Sequence, residues 1–464
     1  MTTEKITLRE KVAYGFGDSA SSMFWKLFTV YLVFFYTEVF GITAAAVGTM
    51  MLVTRLGDAA FDPLVGILCD RTRSKWGKFR PYLLWMALPF GILGVLTFAT
   101  PSLGATGKLW YAYLVYSLMM MVYSLINVPY GSLMGVMTSD GSQRTSLASF
   151  RFIFAFGGSV VVLAIAKPLA DFFSQMGGGA PNPRFGWQAA AAVIAVLAVA
   201  QFFITFIWTR ERVEPMTAKT DIGSDLADLG KNGPWFILLG AGIATIFFNS
   251  LRDGVGMYYF KYFLEEKGGI SFLGFVVPPS SLYFTLGQAA NIVGVVAAKP
   301  LADRIGKKHA YLGAMAAAAV FSVLFYFVDK HHLGLVFVLQ ALTSIAAGLV
   351  LPLLWSMYAD TADYSEWKTG RRATGLVFSA SSMSQKFGWA IGSALVGFLL
   401  GVFGYMADAV QTAKALGGIV LMMSILPAAG AAISGFFMLI YPLDEKTNRQ
   451  IADDLTKRRA VSQG

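Results

Sequence analysis

An all-helical membrane protein, with twelve spans in two pseudo-symmetric six-helix bundles, is the fold this sequence predicts. Three observations carry that expectation: the composition, the spacing of the apolar segments, and motifs that occur twice. Of 464 residues, 56% are hydrophobic and only 14% charged, whereas a soluble domain carries about a quarter charged residues. The 48 glycines point the same way, since glycine is more frequent in membrane helices than in soluble ones. The single cysteine, Cys69, excludes an intramolecular disulfide.

A helix needs about 20 mostly apolar residues to cross the hydrocarbon core. Such windows fall near 12–36, 42–68, 81–100, 109–134, 149–174, 187–209, 234–263, 274–300, 309–328, 334–358, 375–404 and 415–441. The first contains Asp18 and Lys26 and has no small-residue cleavage site, so it reads as a retained span rather than a signal peptide. Lysines and arginines crowd into the N-terminal segment, the alternate loops beginning with 69–80, and the C-terminal tail. The opposite loops hold only Lys108, Arg184, Lys267, Lys330 and Lys414. This asymmetry predicts an inner-membrane protein with both termini in the cytoplasm. It also accounts for the net charge of +10, which is read as a basic surface facing anionic lipid and not as nucleic-acid binding.

Two stretches recur. GILCDRTRSKWGKFRP (66–81) follows the second span and KPLADRIGKKHA (299–310) the eighth. NVPYGSLMGVMTSD (127–140) closes the fourth span as VLPLLWSMYADTAD (350–363) closes the tenth, with Pro129 to Asp140 spaced as Pro352 to Asp363. The repeat unit is therefore six helices, and parallel six-helix halves are the plan of major facilitator transporters. The expected divisions are an N-terminal bundle over 1–210, a cytoplasmic linker over 211–233, a C-terminal bundle over 234–441 and a tail over 442–464. The repeated loops, with Asp70, Arg71, Lys78 and Arg80 in one copy and Asp303 and Arg304 in the other, read as latches whose charges pair with neighbouring helices. Asp140 and Asp363 are counted with them as gating residues.

Charges inside the spans are costly, at least ~2.5 kcal/mol each near the bilayer centre, and normally face a bundle interior or a water-filled cavity. In RLGDAAFDPLVG (55–66), Arg55, Asp58 and Asp62 stand at i, i+3 and i+7 and so share one helix face. Arg55 can neutralise one acid and leaves the other over. Two carboxylates one turn apart repel when both are ionised, and a proton or a sodium ion relieves that repulsion. Asn249 and Arg252 share a face of span seven, with Asp253 beside them. An arginine lining a cavity can hold a uronate carboxylate bidentately, or it can pair with Asp253 instead.

YGFGDSASSMF (14–24), FFYTEVFG (34–41), RLGDAAFDPLVG, DRTRSKWGKFRP, NVPYGSL and ADTADYSEW (359–367) together resemble the glycoside-pentoside-hexuronide:cation symporters, the melibiose permease family of the major facilitator fold. The likeness runs from Tyr14 to about Gly404 and is nearer the xyloside and glucuronide members. It implies uptake of a sugar or glycoside coupled to a proton or sodium ion, with no other cofactor, by a protein expected to act as a monomer in the bilayer. Both acids of the family's cation site match Asp58 and Asp62. A third position, acidic in melibiose permease, is Asn127, and Ser124 stands one turn before it. With Phe61 between the acids where sodium users often have Asn, and no histidine well inside a span, protons are favoured over sodium. Lys386 matches the family's intramembrane lysine and, with Arg55, is assigned to coupling. Arg151 matches an arginine that contacts sugar.

For the sugar itself, the resemblance places Ser21 and Ser22 where melibiose permease has a lysine and an acid, and Gly131 where it has a stacking tryptophan. Asp18, Tyr123, Gln385 and Trp389 are the remaining candidates, beside Asn249, Arg252 and Arg151. A lysolipid or other amphiphile carrier on the same fold is one alternative, and a channel or non-transporting sensor another. An enzyme is not expected: no metal-ligand cluster, nucleophile–base pair or phosphate loop is evident, and no Walker sequence points to ATP.

Overall fold

The computed structural model describes residues 5–138, 141–176, 180–213, 229–272, 275–370 and 374–463. Helix α1 (Leu8–Leu27) runs on through π-helical turns at Phe28–Leu32 and Phe35–Phe40. It is followed by α2 (Ala44–Arg71), α3 (Arg80–Thr97), α4 (Ala105–Met137), α5 (Gly141–Gln175) and α6 (Pro183–Trp208). Helix α7 (Gly233–Tyr258) ends in a π turn at Tyr259–Phe263. Two short antiparallel strands, β1 (Ile270–Phe272) and β2 (Phe275–Val277), come next, with Ser271 opposite Val276. Then come α8 (Pro279–Ile305), α9 (Lys307–Leu324), α10 (Leu333–Thr369) and α11 (Thr374–Phe403). Helices α12 (Ala413–Met423) and α13 (Ile425–Ile440) form one apolar span interrupted at Ser424, whose hydroxyl donates to the Val420 carbonyl. A polar helix, α14 (Glu445–Gln463), closes the chain.

Among the described residues these make twelve segments of membrane-crossing length, as the sequence predicts. From α3 onward, ten are also apolar enough to cross a membrane. The first two are as long but carry Asp18 and Lys26, or Arg55, Asp58 and Asp62, which lower their hydropathy. The strands and the terminal helix were not anticipated. Helix α10 also runs eleven residues beyond its apolar window, to Thr369, because its polar end continues the helical hydrogen bonding up to Gly370 in the left-handed region.

Local chemistry sets the ends. Thr7 and Glu10 form a reciprocal capping box at α1, each satisfying the other's backbone N–H. Pro81 and Pro183 sit in first turns, where a missing N–H costs nothing. The first π turn of α1 is fully buried and the second is buried at all but Val39, and such turns insert an extra residue and locally re-aim side chains.

The chain divides into two compact units. Unit one comprises 1–217, 253–288 and 393–416. In it the rings of Tyr14 and Tyr130 stack at 4.7 Å, and each hydroxyl donates to the other's carbonyl. Helices α2 and α11 meet backbone to backbone: a Cβ on Gly397 would lie 2.4 Å from the Ala44 carbonyl oxygen and 2.6 Å from the Gly48 nitrogen. Unit two comprises 218–252, 289–392 and 417–464. Its core holds Trp235, Tyr311 and Tyr358, with the Tyr311, Thr245 and Ser434 hydroxyls mutually 2.9 Å apart and Trp235 Nε1 donating to Ser381.

Candidate cation and substrate site

Helix α2 presents Arg55, Asp58 and Asp62 on one face, as their spacing predicts. In unit one that face meets α4, where the Ser124 hydroxyl lies 2.6 Å from Asp58 Oδ1 and 2.6 Å from Asp62 Oδ1. Arg55, Asp58 and Ser124 are buried and Asp62 is half-buried. Arg55 does not neutralise an acid by direct contact: its guanidinium lies over the Trp25 ring at 4.3 Å, and Nε and Nη1 have no hydrogen-bond partner. Cation–π contact with a desolvated tryptophan offsets part of the cost of burying that charge. Asn127, expected in the same cluster, spends its amide on the Tyr123 carbonyl of its own helix at 2.9 Å.

Asp18 and Arg151 come together as an α1–α5 ion pair of 2.8 Å, with the guanidinium also over the Tyr130 ring. Tyr123 stands between the rings of Trp25 and Phe90. Ser22 is half-buried, whereas Ser21 is buried and donates to the Gly17 carbonyl, so its hydroxyl is already engaged.

In unit two, Arg252 is buried between the Phe248 and Phe325 rings, donating to Gln340 at 2.6 Å and to Ser322 at 3.1 Å. Asp253 turns instead to Lys26, 2.7 Å away. Asn249 bonds the Thr245 carbonyl of its own helix. Helix α11 holds Gln385, Lys386 and Trp389 half-buried, Gln385 with an unsatisfied, buried Nε2.

The first repeated loop is held through backbone contacts, and the second by a side-chain pair of the kind expected. In the first, the Glu211 carboxylate accepts the backbone N–H groups of Lys78, Phe79 and Arg80 at 2.8, 2.8 and 2.9 Å. It fills the positive end of α3, made accessible by Gly77 at φ +107°. The Arg80 guanidinium caps the Phe206 and Trp76 carbonyls. Arg71 is exposed, and the side chain of Asp70 and all of Asp140 lie outside the described residues. In the second copy Asp303 pairs with Lys299 of its own helix, Arg304 is exposed, and Lys307 reaches Asp360 at 2.8 Å; the acid there is Asp360, one turn before Asp363.

Three groups escaped the sequence reading. Trp25 follows Ser21 by four residues and Asp18 by seven, a shared face that was there to be seen. Lys26 and Glu38 are charges inside a span and as anomalous as Asp58, but their partners are remote in the chain. Glu38 accepts from Lys261, Tyr262 and Tyr405, and Lys261 also pairs with Asp408. Beside this cluster a cavity of about 500 Å³ is lined by Phe34, Lys167, Arg184, Trp187, Lys261 and Asp408.

Many apolar spans, with two acids sharing a hydroxyl inside them, are the arrangement of a secondary transporter. The MFS/sugar transport protein family matches residues 13–445. Among curated relatives, the inner membrane symporter YicJ of Escherichia coli is 37% identical over 100% of this chain and 98% of its own length. The isoprimeverose transporter of Lactiplantibacillus pentosus is 35% identical over 96% and 90%, and the glucuronide carrier protein homolog of Escherichia coli 32% over 99% and 98%. The chain thus belongs to the glycoside-pentoside-hexuronide:cation symporters, is a multi-pass membrane transporter, and is not an enzyme. Solved structures agree on the major facilitator fold alone. A bacterial homologue of the human drug peptide transporters PepT1 and PepT2 matches with TM-score 0.66 at 15% identity, covering 96% of this chain and 99% of that one. The nucleoside transporter NupG matches with 0.63 at 14%, covering 94% and 99%.

Proposed function

We propose that the protein imports a sugar or glycoside of the xyloside or glucuronide kind by alternating access, coupled to one proton held at Asp58, Ser124 and Asp62. The observation that carries this reading is the shared hydroxyl. A serine has a single O–H hydrogen and can donate to one carboxylate at a time. Two carboxylate oxygens, each 2.6 Å from Oγ, are both accommodated when one carboxyl is protonated and donates to Oγ while Oγ donates to the other. The separations suit short charge-assisted hydrogen bonds. Oxygens sharing a cation of roughly calcium's size, each ~2.4 Å from it and at right angles, would stand about 3.4 Å apart.

Sugar recognition falls to Asp18, Arg151, Trp25, Tyr123 and Ser22: an ion pair for hydroxyls, and two rings for the C–H face of a pyranose. Arg252 has no place in it, since it is enclosed by Gln340, Ser322 and two phenyl rings. Relatives named for isoprimeverose and glucuronide uptake support the substrate class. The scheme keeps both termini in the cytoplasm, divides the helices into two sequence halves of six, assigns coupling to Lys386, and needs one copy of the chain.

The test is a panel of radiolabelled xylosides, glucuronides and galactosides in proteoliposomes, each under a proton gradient alone and a sodium gradient alone. Accumulation of a xyloside or glucuronide driven by protons alone is expected. Accumulation that only the sodium gradient drives would overturn the proton assignment.

A further inference from the structure

We infer that the Lys26–Asp253 ion pair ties α1 to α7 and that its parting is a step of the transport cycle. The proposal rests on the transporter reading for the existence of a cycle, and on nothing else in it. Lys26 Nζ is 2.7 Å from Asp253 Oδ2, and neither side chain has another hydrogen-bonding or ionic partner among the described residues. At 1.5 Å per residue, roughly 15–20 Å of helix separates each from the Phe40 and Phe263 ends of its span, so both charges sit well inside the apolar layer.

Their exposure decides what such a pair can do. The side chains are 17% and 21% exposed. A charge at this depth faces a bundle interior or a water-filled cavity rather than lipid, and protein does not seal either of these side chains. A sealed pair could not part without leaving two bare charges, and a fully hydrated pair would hold nothing together. A pair at the edge of water holds while closed and is re-solvated when it opens.

The surroundings fit a tie rather than an isolated contact. Beyond Lys26, α1 continues as π turns, and its Thr37 hydroxyl lies 2.7 Å from the Tyr258 hydroxyl of α7. Glu38 then takes Lys261 and Tyr262. Along this line α1 and α7 adhere through polar groups, which separate with less loss than interlocked apolar side chains because water can replace each partner. Lys26–Asp253 is the innermost of these contacts, and removing either member strands a full charge in the membrane.

The test uses the full chain with Cys69→Ser, purified in nanodiscs and spin-labelled at the exposed positions Thr43 and Lys267, which report the separation of the α1 and α7 ends by pulsed dipolar spectroscopy. Asp253→Asn strands the Lys26 ammonium in the closed arrangement and is expected to raise the ratio of long to short distances by about tenfold or more. Lys26→Gln, which strands the opposite charge, is expected to do the same. The exchanged variant Lys26→Asp with Asp253→Lys is expected to return the distribution to that of the parent. Single variants with the parent distribution, or an exchanged variant that stays open, would overturn the inference. The measurement needs neither sugar nor proton gradient, so it stands or falls apart from the symport proposal.

Discussion

Two clusters bury charge in apolar helices, and they treat it in opposite ways. In unit two, Arg252 is handed to a neutral amide, a neutral hydroxyl and two phenyl rings. None of these four partners gains or loses a proton at ordinary pH. In unit one, two acids lean on one hydroxyl, and the nearby Arg55 keeps two donor nitrogens without a partner. Unsatisfied groups of this kind are rare in native interiors, and neighbouring acids beside them mark working sites more often than structural ones. The difference is one of chemistry: the Gln340 and Ser322 partners of Arg252 keep a fixed protonation, while Asp58 and Asp62 meet at a hydroxyl that a proton can bridge.

That contrast can be broken from either side. Asp62→Asn should reduce the sugar accumulation ratio in proteoliposomes to unity, by removing the second acid, while leaving thermal stability near that of the parent. A large loss of stability with coupling intact would reverse the assignment of the two clusters. Arg252→Ala should do the reverse. It opens space between two rings and strands Gln340, costing about 2–4 kcal/mol of stability, followed by thermal unfolding in detergent, with the KM of the surviving protein unchanged. Ser124→Ala sharpens the picture with a smaller effect. The acids remain but lose their common partner, so proton-driven uptake should slow by roughly tenfold, the worth of a hydrogen bond to a charged group. Ser124→Thr, which keeps the hydroxyl, should restore it.

The spans were readable because about 20 apolar residues in a row have few other uses, and the acid pair because Asp58 and Asp62 are local neighbours on a helix. Arg252 was undecidable for the opposite reason. Whether an arginine lines a cavity or is enclosed depends on Gln340 and Ser322, which lie 88 and 70 positions away. Lys26 was visible as a charge, but nothing near it in the chain points to Asp253. The loops were recognised as a repeated pattern, but the Glu211 contact was not, because its carboxylate binds backbone N–H groups, which no side-chain motif records. The π turns of α1 have no sequence signature at all.

The bare contact of Gly48 with Gly397 has a mechanical consequence. Where helices mesh through side chains, any shift must first lift knobs out of their sockets. Here the backbones come this close only while glycine faces backbone, and turning either helix would drive a Cβ into the other, so α2, which carries the acid pair, is keyed to one rotational setting against α11.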